Sequence, residues 1–103
     1  MPDYVLSNRA DSDPTDIYLY SFRGFGEGKA DAYVAGLSER LQRLADSPRL
    51  GRPAEIRPDL LRYRYGRHLI FYRTEATGIF VVRILHEAMD FPRHFGPADD
   101  DER

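Results

Sequence analysis

Histidines and arginines in the second half of the sequence are the residues whose types could take part in chemistry. His86 and His94 follow an apolar segment, and an imidazole takes up and releases a proton near neutral pH. As an acid and a base they could cleave a phosphodiester, provided that cations held the phosphate. The other interpretation, which we favour for His86, is an imidazole at the end of a strand that is hydrogen-bonded to nearby backbone or to Asp90.

The arginines also indicate a basic surface. Residues 49–98 contain nine arginines and five acidic residues, whereas residues 1–48 contain more acidic than basic side chains. Arg62, Arg64 and Arg83 could form a basic sheet face for a nucleic acid or for an acidic patch of a protein. They fit equally well an ordinary strand surface, on which arginine stems cover apolar neighbours while the guanidinium groups stay in water.

Composition and spacing exclude several classes of site. The chain has no cysteine, which excludes disulfides and thiolate nucleophiles. The three histidines lack metal-site spacing, and Gly24, Gly26 and Gly28 indicate a helix break rather than a phosphate-binding loop. We therefore predict no metal and no cofactor. The sequence shows no signal peptide and no apolar run long enough for a membrane span, which predicts a cytoplasmic protein.

The predicted elements follow the order strand, helix, helix and three strands. Tyr4–Ser7 is a short apolar run, and Asp13 with Pro14 is typical of a helix start. A second apolar helical stripe ends before Pro48, and strand signals follow at 61–65, 68–74 and 79–85. The sequence predicts an α+β domain, β-α-α-β-β-β, with an antiparallel sheet packed against a two-helix hairpin. We expect this single domain to cover residues 1–96 and a disordered acidic tail to cover 97–103.

Hairpin turns at 66–67 and 75–78 set the expected faces of the sheet. Pairing around these turns predicts a core face made of Leu69, Phe71, Phe80, Val82 and Ile84. The opposite face would then hold Tyr63, Tyr65, His68, Tyr72 and Arg83. A shift of the register by one residue would exchange the two faces.

The first helix carries two apolar stripes. Ile17, Tyr20, Ser21 and Gly24 share one side, and Tyr18, Phe22 and Phe25 lie about 100° away. Burial of one such aromatic side chain contributes about 1.5–3 kcal/mol, so three exposed rings would be costly. The second stripe therefore predicts either a partner that covers it or a core capped by Phe25 with Tyr18 half exposed.

Taken in order along the chain, these residues resemble the ParE branch of the ParE/RelE superfamily of type II toxins. The resemblance spans about Tyr4 to Phe95. It includes Phe25-Gly26 and the segment His68-Leu69-Ile70-Phe71-Tyr72-Arg73. The most distinctive part is a last strand that closes in Arg83-Ile84-Leu85-His86 and is followed by Met89-Asp90. Pro14, where leucine is common, and the acidic tail depart from the family pattern.

The resemblance implies a non-enzymatic toxin neutralised by a ParD-like antitoxin, with DNA gyrase as its target. It implies that Tyr18, Phe22 and Phe25 bind an amphipathic antitoxin segment. We take His86, Met89, Asp90 and Arg93 as the contact with the target, without direct sequence-specific binding of nucleic acid. The alternative is a RelE-like ribosome-dependent mRNA endonuclease, although no tyrosine follows Tyr72 to serve such a site. A third possibility is a toxin fold that has lost its toxicity.

Overall fold

The computed structural model describes residues 3–95, which form two helices and five strands. The first elements along the chain are β1 (Asp3–Leu6), α1 (Asp13–Phe25) and α2 (Glu27–Asp46). The remaining strands are β2 (Arg52–Pro53), β3 (Leu61–Tyr65), β4 (His68–Glu75) and β5 (Gly78–His86). Short 3₁₀ helices cover Ala10–Ser12, Pro48–Leu50 and Phe91–His94. The predicted tail, 97–103, and the predicted domain end at residue 96 lie outside the described residues.

The strands form one mixed sheet in the order β1-β5-β4-β3-β2. β1 runs parallel to β5, and the other neighbouring strands are antiparallel. The predicted α+β class is confirmed. The prediction of a wholly antiparallel sheet is wrong, because β5 pairs with β1 and runs in the same direction. A further difference is β2, which lies within segment 48–60, where the prolines predict little regular structure.

Local signals explain where the helices begin and end. Asp13 and Asp16 bring negative charge to the first turn of α1, where the helix dipole favours it. Gly26 is the single residue between α1 and α2, and its φ of 89° lies in the left-handed region that favours glycine. α2 ends at Asp46, shortly before Pro48. Within residues 3–95, neither helix is both long and apolar enough to cross a membrane.

The helices cover one face of the sheet and build the larger core against it. The side chains that they bury there include Ile17, Leu37, Leu41, Leu44 and Ala45. The sheet contributes Ile70, Tyr72, Ile79, Val81 and Ile84. We call this the helix face of the sheet.

The opposite face, which we call the outer face, is also buried over β4 and β5. Leu69, Phe71, Phe80 and Val82 lie there together, as the sequence predicts, and Leu85 joins them. Ala54 and Leu60 cover them from the segment before β3, and Phe91 and Phe95 pack against them from beyond β5. The sheet is therefore sandwiched, and the helices lie on the face opposite to the one predicted as the core.

A β-bulge in β5 explains why Ile84 departs from the predicted face. Phe71 pairs with Arg83 and Tyr72 pairs with Val81, so Val82 is the extra residue. Beyond the bulge the alternation shifts by one position, which turns Ile84 to the helix face. No glycine or proline marks the bulge, so the alternation of residue types could not predict it.

A buried carboxylate fixes the start of α1 to β5. Asp13 Oδ2 accepts hydrogen bonds from Arg83 Nε at 3.0 Å and from the backbone N–H of Ile84 at 2.9 Å. Asp13 Oδ1 accepts a third from Arg83 Nη2 at 3.1 Å. The side chains of Asp13 and Arg83 are 5% and 12% exposed. The pairing of β1 with β5 ends at Val81. Beyond that point Asp13, instead of a strand, accepts the hydrogen bond from the backbone N–H of Ile84.

Candidate functional site

Three aromatic side chains form a strip along the solvent side of α1. Phe22 and Phe25 are 46% and 65% exposed, and Tyr18 is half-buried. The Tyr18 and Phe22 rings lie 6.1 Å apart between centroids and are tilted by 33°, and the Lys29 ammonium lies 6.0 Å from the centroid of the Phe25 ring. We call Tyr18, Phe22 and Phe25 the aromatic strip. The described residues do not cover it, and Phe25 does not cap the core.

Tyr20 lies outside the core, although it shares a side of α1 with Ile17 and Ser21. Ile17 and Ser21 are buried beneath α1, but Tyr20 is 58% exposed. Its ring instead meets His86 edge-on, with 5.7 Å between centroids. Tyr20 thus separates two clefts beside α1. The sequence did not identify Tyr20 as a site residue. Helical spacing shows on which side of the helix a residue lies, but not how wide the buried stripe on that side is.

His68 and His86 are cross-strand neighbours at the ends of β4 and β5. Their rings lie edge to face at 5.3 Å between centroids. The Tyr33 hydroxyl lies 2.8 Å from His68 Nδ1, accepts the backbone N–H of Arg67 at 3.2 Å, and donates to the Tyr65 carbonyl at 3.0 Å. With its single proton given to that carbonyl, the hydroxyl accepts from Nδ1–H of His68. α2, through Tyr33, therefore orients His68.

His86 is held by the backbone, as one of the two sequence interpretations predicts. Its Nδ1 accepts the backbone N–H of Ala88 at 3.0 Å, so a neutral ring carries its proton on Nε2. That Nε2 is buried and has no hydrogen-bond partner among the described residues. No hydrogen bond joins His86 to Asp90 in the described part of the chain.

Burial controls the protonation of His68. Desolvation lowers its pKa from 6.5 to about 4, and the neighbouring His86 contributes to the shift in the same direction. His68 is therefore neutral at physiological pH. A neutral imidazole keeps its one N–H, here bound to Tyr33, but it lacks the second, acidic proton that a general acid would donate.

The arginines of the predicted basic sheet face lie apart from the two described imidazoles, His68 and His86. Arg62 and Arg64 pair with Phe71 and Leu69 across β3 and β4, so they lie on the outer face. His68 contacts Tyr33 of α2 at the opposite side of the sheet. Arg83 does not join the basic face, since it is paired with Asp13. Among residues 3–95, no group of three His, Asp or Glu side chains is placed to hold a metal ion.

The residues assigned to target contact lie at the end of β5 and in the segment that follows it. Met89 is 45% exposed, Asp90 and Arg93 are exposed, and His86 is half-buried. His86 and Met89 line a cleft of about 400 Å³ together with Asp16, Ile17 and Tyr20. A second cleft, of about 540 Å³, lies on the other side of Tyr20. It is lined by residues that include Phe25, Lys29, Tyr33, Arg67 and His86.

The sequence and the fold of the chain match those of known proteins. Residues 4–91 match the family model described as ParE toxin of type II toxin-antitoxin system, parDE. Toxin ParE1 of Caulobacter vibrioides is 34% identical over 93% of this chain and 100% of its own length. Toxin ParE1 of Mycobacterium tuberculosis is 37% identical over 88% of this chain and 95% of its own. A solved structure described as the chromosomal ParDE TA system from P. aeruginosa has the same fold, with a TM-score of 0.74 at 22% identity, covering 84% of this chain and 96% of that one.

The lowered pKa of His68 predicts a loss of stability in mild acid. The unfolded imidazole binds a proton below its ordinary pKa of about 6.5, whereas the folded protein does so only below about 4. Between these values the unfolded state holds more protons, so the contribution of His68 is complete above this window and is lost as the pH falls. At 1.36 kcal/mol per pH unit, acidification from pH 7 to 5 should remove about 2 kcal/mol.

Urea unfolding of the protein and of His68→Gln at both pH values measures this contribution. Glutamine does not titrate, so the variant should lose about 2 kcal/mol less over the same interval. An NMR titration of the imidazole gives the folded pKa directly. A midpoint near 6.5, or the same pH dependence in both proteins, would contradict the assignment.

Proposed function

The chain belongs to the ParE toxin family of type II toxin–antitoxin systems, and on that premise we propose that a ParD-like antitoxin neutralises it and that its target is DNA gyrase. In this proposal the toxin acts in the cytoplasm by binding and makes or breaks no bond itself. The observation that carries the antitoxin part is the exposed aromatic strip of α1. The target part rests on the family and on the surface beyond β5.

The aromatic strip has the chemistry of a surface that binds an amphipathic helix or extended segment. Phe22 and Phe25 leave about half or more of their surface in water, although burial of each ring would contribute about 1.5–3 kcal/mol. The cleft of about 540 Å³ continues the apolar surface from Phe25 toward β4, with the cations of Lys29 and Arg67 at its sides. An antitoxin segment that fits it would place apolar side chains on the rings and carboxylates beside the two cations.

The proposed target surface is formed by His86, Met89, Asp90 and Arg93. An exposed methionine beside charged side chains is typical of an adaptable binding surface. Tyr20 and Met89 border the cleft of about 400 Å³, so a side chain of the target could enter between α1 and the segment after β5. In this mechanism, affinity for a gyrase–DNA intermediate is enough to block the enzyme. The lowered pKa of His68 and the position of Arg62 and Arg64 on the outer face, away from His68, support binding over cleavage.

Removal of two rings from the strip should weaken antitoxin binding. Phe22→Ser with Phe25→Ser is expected to lower the affinity about 100-fold, because the loss of roughly 3 kcal/mol corresponds to two powers of ten. Calorimetry with the small protein encoded beside the toxin gene measures the effect. The matched control is Val5→Ser with Leu50→Ser, whose parent side chains are 44% and 46% exposed and lie away from α1. Equal affinities for the two double variants, both folded, would contradict the assignment.

Purified toxin should trap gyrase on cleaved plasmid. Incubation with gyrase, ATP and supercoiled DNA, followed by detergent and protease, is expected to release linear plasmid. Met89→Ser with Arg93→Ser should raise the toxin concentration needed by about tenfold or more, since a contact residue of moderate importance contributes about 1.4 kcal/mol. The control is Arg49→Ser with Leu50→Ser. Leu50 is 46% exposed and Met89 is 45% exposed, so the two double variants remove similar exposed side chains.

Two other results would redirect the assignment. Codon-position cuts in translated mRNA, with gyrase unaffected, would identify a RelE-like endonuclease. Normal growth when the toxin is induced without its antitoxin would identify a protein that has lost toxicity and serves only as a complex partner.

A further inference from the structure

Two arginines face one another across the strands at the edge of the sheet. Arg52 of β2 and Arg62 of β3 are cross-strand neighbours, and both are exposed. In the described part of the chain neither forms an ion pair with a carboxylate. Like charges that are directly opposite in an antiparallel pair destabilise the sheet. This arrangement favours an anion that neutralises both guanidinium groups.

The two arginines line a cleft on the outer face. Its volume is about 400 Å³, and Leu50, Tyr63, Arg64 and Leu69 complete its walls. Arg64 and Arg67 share one carboxylate, Glu87, at N–O distances of 2.5 and 3.1 Å. Hydrogen bonding from Arg64 lowers the pKa of Glu87, so this carboxylate is charged at neutral pH. We call the surface of Arg52, Arg62 and Arg64 the arginine cleft, and it keeps an excess of positive charge.

The chain passes close to the arginine cleft where the described residues end. Phe95 packs on Phe71 with 5.0 Å between ring centroids. Phe71 is the cross-strand neighbour of Arg62, and Arg62 is the neighbour of Arg52. Adjacent strands are about 4.8 Å apart, so the two arginines lie roughly one and two strand spacings from Phe71.

Acidic residues follow Phe95 within reach of these arginines. The sequence continues through Gly96, Pro97 and Ala98 to four consecutive acids, Asp99 to Glu102. An extended chain spans at most about 3.6 Å per residue, so Asp99 can lie up to about 14 Å from Phe95. With the 5.0 Å from Phe95 to Phe71 included, the path is roughly 10 Å to Arg62 and roughly 15 Å to Arg52, so Asp99 can reach Arg62 and the acids after it can reach Arg52. A tether of this length also holds the carboxylates near the cleft at a high effective concentration.

We propose that the arginine cleft is an anion-binding surface whose occupant is the acidic segment Asp99–Glu102 of the same chain, which excludes external polyanions from it. This inference does not depend on the proposed function. The cleft is on the outer face of the sheet, whereas the aromatic strip is on α1, which covers the other face. The segment therefore regulates a surface separate from the proposed antitoxin site.

Neutralisation of the acidic segment tests the proposal on the full-length chain. The test variant carries Asp99→Asn, Asp100→Asn, Asp101→Asn and Glu102→Gln. The charge-matched control carries Asp11→Asn, Glu27→Gln, Glu39→Gln and Asp46→Asn, all exposed and in or near the helices. The probe is inorganic tripolyphosphate, and its affinity is measured by calorimetry in 50 mM and 500 mM NaCl.

The test variant should bind tripolyphosphate roughly three- to tenfold more tightly than the parent in 50 mM NaCl. The control should gain less than about twofold, because its removed charges are not tethered beside the cleft. Addition of Arg52→Gln and Arg62→Gln to the test variant should abolish the gain, and so should 500 mM NaCl, which screens exposed charges within a few ångströms. Equal affinities of parent and test variant, or an equal gain in the control, would overturn the proposal.

NMR provides a second readout that needs no probe. Neutralisation of the segment should shift the side-chain Nε–H resonances of Arg52 and Arg62 in the parent background. The resonance of Arg23, an exposed arginine in the last turn of α1, should not move. Unchanged resonances for Arg52 and Arg62 would show that the segment does not occupy the cleft.

Discussion

The position of α1 depends on one buried ionic contact, between Asp13 at its first turn and Arg83 of β5. The carboxylate accepts two hydrogen bonds from the guanidinium group and one from the backbone of Ile84. Both side chains are largely removed from water, so the loss of either partner leaves an uncompensated buried group, which costs far more than a surface ion pair contributes. This contact fixes the helix at the point where the sheet loses β1 as a partner.

The functional surfaces follow from that attachment. With its start held against β5, α1 buries Ile17 and Ser21, and no other element of residues 3–95 covers its second stripe. Phe22 and Phe25 therefore remain in water, and Tyr20 stands beside His86 between two clefts. A helix that carries more apolar surface than a small core can bury is suited to a second polypeptide. His68 serves the packing of the fold, because its ring is neutral and is hydrogen-bonded to Tyr33.

The sequence predicts the class of fold and the order of every helix and strand except β2, because those depend on local signals. Pro14, Gly26 and the alternation of the last strands mark where elements begin and end. The faces of β5 depend on a bulge at Val82 that no local signal announces. The Asp13–Arg83 pair joins residues 70 positions apart, and β1 pairs with β5 across a similar distance. Such contacts arise from tertiary packing, which explains why Arg83 could be read as part of a basic surface.

The central claim, that this ion pair holds α1 on the sheet, is tested most directly by a double-mutant cycle. The free energy of urea unfolding is measured for the parent, Asp13→Asn, Arg83→Met and the double variant, with Asp16→Asn as a control in the same helical turn. Each single change should cost about 3–5 kcal/mol, and the coupling between them should exceed about 2 kcal/mol. The control should lose no more than about 1 kcal/mol, the contribution of the helix dipole. Additive effects, or a loss at Asp13 no larger than at Asp16, would contradict the account.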